Sequence, residues 1–583
     1  MAERKTGDGR TVVSGTAKMT PSEAFVETLV ANGVTDIFGI MGSAFMDAMD
    51  IFAPAGIRLV PVVHEQGAAH MADGYARASG RPGVVFATSG PGALNLVTGL
   101  ATASMDSVPM VAITGQVASK TVGRDAFQES DVIGCTSSVT KHNYLVTRVE
   151  DIPRTIKEAF HIATTGRPGP VLIDICKDAQ MAEGGDFDYP PEVGLPGYRT
   201  PAGPDLSRLV DAAEAINNAR HPVILAGHGV ILAGAQEELL EAAELAGVPV
   251  GTTLLGVGAF PVRHPLSLHM TGFMGTGWCL KAVQNADVLV MVGMRVDDRV
   301  TADLATFAPN VRTFVHVDID ASEMGKNVRP HLEVVADAKE ALTALIPMLA
   351  PPPADRAAWI TQIDRWREEH PLRYQRSNGH LQPQDVLMDM YRRCEDEAIV
   401  VADVGQNQIW AALWWNYARP GLFINSGGAG TMGFALPAAL GAKFARPETR
   451  VWCVAGEGGF VMTMQELAVA VEHQLDVKVV LLNNFSLGMV RQFQDDFYGG
   501  VRSQVDLSVM PDFVKLCDAY GIPAAEVRCG EDIATAFDLA ERTPGPFLID
   551  FRIDPEANVY PIVPLGKGLS EFVESPLEPA YDG

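Results

Sequence analysis

Short apolar runs alternate with longer segments of helical period along almost the whole chain. DIFGI, RLVPVV, GVVFA, MVAIT and VLIDI read as buried strands before residue 180. Thr20-Pro21-Ser22-Glu23 spells a capping box with proline at the first helical position. Phe25, Leu29 and Val30 give the helix that follows its apolar stripe, and Gly33 is placed to stop it. HPVILAG, VPVGTTL, ADVLVMVG and VRTFVHVD repeat the pattern in the middle of the chain. AIVVAD, LFIN, RVWCVAG, VKVVLLNN and FLIDFRI repeat it again near the end. The alternation predicts an α/β protein of three doubly wound, parallel-sheet domains.

Two stretches interrupt the pattern. Residues 181–204 are rich in Gly, Pro and acid and carry no period, and 349–356 (LAPPPADR) is a Pro-rich break. They predict a loose polar tail over 1–17 and domains over 18–185, 200–350 and 370–583.

A chain of 583 residues is too long for one core, in keeping with several domains. The net charge of −26 argues against nucleic acid or an anionic membrane as partner. No apolar run approaches a membrane span, and the polar N-terminus has no secretory h-region. Seven scattered cysteines without a CxxC pair predict reduced thiols in a cytoplasmic setting, not a disulfide frame or a zinc site.

The chemistry concentrates at VAGEGGF, 454–460. The strand RVWCVAG runs into this glycine turn, a helix-like stretch follows, and VKVVLLNN ends in Asn483-Asn484, 27 residues after Glu457. A strand–helix–strand unit of that length sets two strand ends side by side, where open parallel sheets bind ligands. An acid and an amide there can share a hard cation such as Mg²⁺, and the glycines admit a diphosphate to the backbone. Read alone, the stretch also fits a glycine turn with a solvated glutamate. VVHEQGAAHMADGYAR, 62–77, places Glu65 between a strand and a helix start, among apolar residues. A carboxyl in such a place can share a proton with a ring nitrogen. Read alone, it fits better as a helix-start glutamate favoured by the dipole.

G-D-G, about two dozen residues, then N-N is the signature of thiamine-diphosphate (ThDP) enzymes. The third block resembles their diphosphate-binding domain, with Glu457 where the signature has Asp. TSGPGALN (88–95) strengthens the resemblance in the first block. The resemblance implies Glu65 as the residue that activates the cofactor. It implies Glu457, Asn484 and Ser486 as Mg²⁺ ligands, and Gln406, Asn407, Gly458, Gly459 and Met489 around the diphosphate. Gly430 would bind the amino group, and Met432 would support the bent cofactor. The family sets one subunit's cofactor against the Glu of another, so a homodimer or homotetramer is implied.

From about residue 18 to 570 the chain resembles the acetohydroxyacid synthase (acetolactate synthase) catalytic subunits. The likeness is closest in GQVASKTVGRDAFQESDVIG, GRPGPVLIDICKD, NADVLVMVGMRVDDRVT, GAGTMGFALPAALGAK and LLNNFSLGMVRQF. It implies decarboxylation of pyruvate and joining to a second 2-keto acid, giving 2-acetolactate or 2-aceto-2-hydroxybutyrate in branched-chain amino acid biosynthesis. FAD would bind the middle domain through Arg167, Gly227, Gly229, Thr253, Leu254, Arg295, Asp297, Asp318 and Asp337. Gln128 would lie near the reacting carbon, and Arg299 would bind the second acid's carboxylate. An ion pair of Arg299 with Asp297 or Asp298 is the rival reading. A small regulatory subunit is a possible partner. Phe493 stands where the family has Trp and Phe273 where Met is usual, which predicts a roomier substrate pocket.

Up to about Arg77 the chain resembles sulfoacetaldehyde acetyltransferase more, with FGIMGSAF (38–45) replacing the synthases' FGYPGGA. That enzyme, which makes acetyl phosphate and sulfite, is the alternative activity. A non-catalytic FAD-binding relative that lost its metal through Glu457 is the other.

Overall fold

The structure, a computed structural model, describes residues 2–5, 11–43, 45–181, 183–189, 193–374, 379–394 and 396–574. The first strands are β1 (Ala2–Lys5) and β2 (Thr11–Met19). Then come β3 (Asp36–Gly39), β4 (Arg58–Pro61), β5 (Gly83–Ala87), β6 (Met110–Gln116), β7 (His142–Val146) and β8 (Pro170–Cys176). These six form a parallel sheet in the spatial order β4-β3-β5-β6-β8-β7. β5, β6 and β8 are buried along their whole length. That is why they read as unbroken apolar runs: a parallel sheet is covered by helices on both faces.

After β9 (Gly185–Tyr189), the middle sheet contains β10 (Pro222–Ala226), β11 (Val250–Thr252), β12 (Ser267–Met270), β13 (Val288–Val292), β14 (Thr313–Asp318) and β15 (Leu332–Val335). Its order is β12-β11-β10-β13-β14-β15, all parallel. The third sheet contains β16 (Ala398–Ala402), β17 (Phe423–Asn425), β18 (Arg450–Ala455), β19 (Val477–Asn483), β20 (Ala524–Val527) and β21 (Phe547–Arg552). Its order is β17-β16-β18-β19-β21-β20. The order turns back on itself in each sheet, as in doubly wound folds.

The helix Pro21–Ala31 begins with the expected capping box. Glu23 N–H donates to Thr20 Oγ1 at 3.2 Å, and Thr20 N–H donates back to the Glu23 carboxylate at 2.7 Å. The start of the chain differs from the expected loose tail. β2 pairs antiparallel with β1 and with β9, which lies inside the stretch expected to carry no period. In β9, Phe187 and Tyr189 are buried while Asp186 and Asp188 are exposed. The alternation of a strand was present there, obscured by the flanking glycines and prolines. Residues 1, 6–10 and 575–583 of the expected tail and third domain, and Ala44 of the 38–45 loop, lie outside the described residues.

By contact the chain forms two compact units. One contains residues 1–200, 428–451 and 461–477, and the other contains 201–427, 452–460 and 478–583. In the first unit the helix Ala435–Ala445 packs against the helix Glu65–Ser79. A Cβ at Gly74 would overlap the Ala438 carbonyl, and one at Gly441 would overlap the Met71 carbonyl. The two backbones therefore touch directly, and only glycine permits that distance.

Candidate active site

In the first unit, Glu65 follows β4 and opens the helix Glu65–Ser79, where its side chain is buried. Its Oε2 accepts a hydrogen bond from Asn95 Nδ2 at 3.0 Å. A Cβ at Gly92 would come within 3.1 Å of Glu65 Oε1. The TSGPGALN segment thus orients the carboxylate with Asn95 and leaves it room with Gly92. Gln128 adopts a left-handed backbone (φ 60°). A Cβ at Gly90 would come to 2.6 Å from its carbonyl. A strained non-glycine residue packed against a glycine turn is held by its surroundings rather than by its own preference. Arg167 Nε donates to Ser107 Oγ at 2.9 Å. Gly430 is left-handed (φ 65°), and Met432 beyond it is half-buried.

A second carboxylate, not anticipated from sequence, serves the same turn. Glu466 is fully buried and accepts N–H bonds from His64 at 3.0 Å and Val63 at 3.2 Å, the two residues before Glu65. Burial pushes its carboxyl up to about 7, and the nearby charge of Glu65 adds to that. In the sequence it is one of two acids in the largely apolar stretch MTMQELAVAVEH, with nothing to set it apart from Glu472.

In the 38–45 loop, Phe45 is buried with its ring 4.3 Å from that of Phe86. A Cβ at Gly42 would overlap the Thr88 side chain. The divergent loop uses its large apolar residue to fill the core.

In the second unit, the expected diphosphate residues sit at the carboxyl ends of the third sheet's strands. Glu457 follows β18, begins the helix Glu457–Thr463 and is 1% exposed. Ser486 N–H donates to Glu457 Oε1 at 2.6 Å and to Asn484 Oδ1 at 3.0 Å, so the three residues after β18 and β19 converge. Ser486 Oγ is buried with no hydrogen-bond partner among the described residues. Burial pushes the Glu457 carboxyl up to about 7, against backbone N–H bonds that lower it. A buried carboxylate beside an amide oxygen and an unpartnered hydroxyl is an all-oxygen donor set that a hard cation fits. Among the described residues no group of three or more His, Cys, Asp or Glu could hold a metal. A cation here would take the rest of its shell from phosphate and water.

Gln406 begins the helix after β16 and links the set. Its Oε1 accepts from Asn484 Nδ2 at 3.3 Å, and its Nε2 donates to Gln492 Oε1 at 3.0 Å and to the Ala557 carbonyl at 3.1 Å. Asn407 Nδ2 donates to the Asp403 carbonyl at 2.7 Å. Gly459 follows Gly458 in the helix begun by Glu457, and a Cβ on Gly459 would overlap the Asp403 carboxylate. Met489 follows Gly488, where a Cβ would overlap Gln406 Oε1. Glycine is thus required by packing at two corners of this site.

The middle sheet repeats the arrangement. Gly227 follows β10, Thr253 and Leu254 follow β11, Arg295 and Asp297 follow β13, Asp318 ends β14 and Asp337 follows β15. All lie at carboxyl strand ends, where doubly wound sheets bind ligands. Several also have local work. A Cβ on Gly227 or Gly229 would overlap or crowd the Gly293 backbone. Asp297 caps the short helix Asp298–Thr301, and Asp337 caps Ala338–Leu345. Arg295 pairs with Asp297 at 3.4 Å.

Three separate stretches match family profiles. Residues 19–135 match "Thiamine pyrophosphate enzyme, N-terminal TPP binding domain", 209–345 the central domain, and 403–551 the C-terminal TPP binding domain. An acetolactate synthase large subunit of Mycobacterium tuberculosis is 45% identical over 566 residues, covering 95% of this chain and 91% of its own. One from Corynebacterium glutamicum is 44% identical over 577 residues, covering 97% and 92%. A probable one from Methanocaldococcus jannaschii is 43% identical over 568 residues, covering 95% of each. The chain belongs to the acetolactate synthase family of thiamine pyrophosphate enzymes.

The two aromatics expected at the substrate pocket meet. The rings of Phe273 and Phe493 stand edge to face with centroids 6.0 Å apart. The Arg299 guanidinium lies 5.2 Å from the centre of the Phe273 ring. Its contact with Asp298 is 3.8 Å between two well-exposed side chains, worth little in water. Asp297 instead accepts the Arg299 backbone N–H. The ring stack and the loose ion pair together leave the guanidinium facing solvent, as a carboxylate-binding group needs.

Proposed function

We propose that this acetolactate synthase family member decarboxylates pyruvate and joins the two-carbon unit to a second 2-keto acid, as a step of branched-chain amino acid biosynthesis. The observation that carries the reading is a likeness of 42–45% over nearly the full chain to proteins named acetolactate synthase. Bound ThDP supplies the nucleophile and the electron sink for decarboxylation. Glu65 hydrogen-bonds a ring nitrogen of the cofactor and holds the proton there, with Asn95 fixing its carboxylate. Glu457, Asn484 and Ser486 hold Mg²⁺. Gln406, Asn407, Gly458, Gly459 and Met489 surround the diphosphate, while Gly430 and Met432 position the rings. Arg299 binds the carboxylate of the acceptor acid, a charge-assisted contact that orients it. Gln128 faces the reacting carbon.

FAD occupies the carboxyl edge of the middle sheet through Gly227, Gly229, Thr253, Leu254, Arg295, Asp297, Asp318 and Asp337, together with Arg167. At Asp297 and Asp337 the binding role is added to a helix cap. Two copies of the chain pair so that Glu65 of one serves the diphosphate site of the other. Phe127, next to Gln128, is 89% exposed, an aromatic surface that a second copy would cover. Relatives named large subunits support a smaller regulatory partner. Seven cysteines, none in a disulfide among the described residues, support a cytoplasmic setting. Among the described residues no helix is long and apolar enough to cross a membrane.

The test is acetolactate formation from pyruvate by the purified chain with ThDP, Mg²⁺ and FAD, beside Glu65→Gln and Glu457→Asp. Acetolactate from the unmodified chain, lost in Glu65→Gln, supports the reading. Activity only in Glu457→Asp means the metal site is defective. Turnover of sulfoacetaldehyde with phosphate, and none of pyruvate, moves the chain to the acetyltransferase.

A further inference from the structure

A cavity of about 530 Å³ opens in the second unit, and none of the candidate cofactor residues lines it. Its walls come from residues 262–269, which lead into and through β12, from the helices Gly277–Asn285, Arg356–Glu369 and Pro383–Cys394, and from residues 413–416. Three arginines line it, Arg263, Arg367 and Arg392, and no Asp or Glu does. In a chain of net charge −26 such a concentration of cation is unexpected.

The arginines are differently engaged. Arg367 is held by Asp364 at 2.7 Å and by the Ser267 carbonyl at 2.9 Å, which fixes its guanidinium. Arg263 lies over the Tyr391 ring, 5.3 Å from its centre, and Arg392 is exposed. No carboxylate among the described residues pairs with either. Between them the cavity presents the aromatic side chains Trp278, Tyr391 and Trp414. The Trp278 indole N–H is buried and has no hydrogen-bond acceptor among the described residues.

Guanidinium forks recognise phosphate oxygens bidentately, and flat aromatic faces accept a nucleobase. The volume falls in the range of small-molecule sites. We propose that this cavity binds a nucleoside phosphate, with the phosphates on Arg263 and Arg392 and the base among Trp278, Tyr391 and Trp414. A simple anion would use the arginines and leave the aromatic wall idle. A neutral aromatic ligand would leave the cations unpaired.

The test is calorimetric titration of the full chain, first saturated with ThDP, Mg²⁺ and FAD so that those sites are filled. ADP, adenosine and inorganic tripolyphosphate are the probes, against the unmodified chain, Arg263→Ala and Arg392→Ala. The expected result is saturable ADP binding that each substitution weakens about tenfold, the loss of one charge-assisted contact. Adenosine and tripolyphosphate should each bind more weakly than ADP. Both arginines are at the surface, so the variants should keep the melting temperature and the pyruvate turnover of the unmodified chain. Absence of saturable ADP binding overturns the proposal, and so does ADP binding that neither substitution changes. Tripolyphosphate binding as tightly as ADP reduces the cavity to an anion site and overturns the nucleoside part.

Discussion

At Glu466 the fold keeps a fully buried carboxyl whose hydrogen bonds among the described residues come from the backbone just ahead of Glu65. Its folded value lies near 7 against an ordinary 4.5, with burial as the main cause. In that window the folded chain keeps a proton that the unfolded chain has released. This group's contribution to stability is therefore complete below 4.5 and is lost as pH rises through about 7. Glu466→Gln keeps an acceptor oxygen but cannot ionise. Its melting temperature should fall less than that of the unmodified chain as pH is raised through the window. Parallel pH slopes for the two proteins would rule this out. Phe493 makes a different kind of prediction. It forms an edge-to-face pair with Phe273, and if that pair walls the acceptor pocket, the larger indole of Phe493→Trp should narrow it. Selection for 2-ketobutyrate over pyruvate as acceptor should then rise, by about 1–3 kcal/mol at most. The ratio of the two products in a mixed-substrate assay reads it, and an unchanged ratio sinks it.

At the scale of elements, the strands were legible because parallel strands buried on both faces are plain apolar runs. The helix start at Thr20 was legible because capping is a local contest that four residues decide. β2 and β9 were hidden: they belong to a small antiparallel sheet whose strands can carry polar residues on one face, and here Gly and Pro flank them. Glu457, Asn484 and Glu65 could be singled out from motifs, since each sits just beyond a strand end. Glu466 and Gln492 could not: Glu466 ends the short 3₁₀ turn Met464–Glu466 and Gln492 lies inside the helix Gly488–Phe497, where sequence spacing carries no chemical signature. The glycines of the helix pair were equally silent. Gly74 and Gly441 look like poor helix formers until the partner carbonyls, Ala438 and Met71, are seen against them. Gly74→Ala must push the helix Ala435–Ala445 away, so it should destabilise the protein by about 1–3 kcal/mol or more despite alanine's better helix propensity. Gly80→Ala makes the control of a different kind: nothing lies near its Cβ, and its cost comes only from the left-handed backbone (φ 71°). Denaturant midpoints compare the two. A Gly74→Ala midpoint at or above that of the unmodified chain would show that the helices separate freely.

At the scale of the whole molecule, the candidate chemistry is divided. Glu65 with Asn95 belongs to one compact unit, and Glu457 with Asn484 and Ser486 belongs to the other. If two copies exchange these halves, each complete site draws its activating carboxylate from one chain and its metal set from the partner. Glu65→Gln alone and Glu457→Ala alone should then be inactive, since every site in either assembly lacks one group. Mixed under conditions that let subunits exchange, they should regain activity. A mixed dimer has one site with both defects and one with neither, so random pairing should restore about a quarter of the unmodified activity. If both groups of a site come from the same chain, no pairing produces an intact site and mixing restores nothing. The two arrangements differ by a yes or no in one activity assay, with subunit exchange verified by mass-labelled chains.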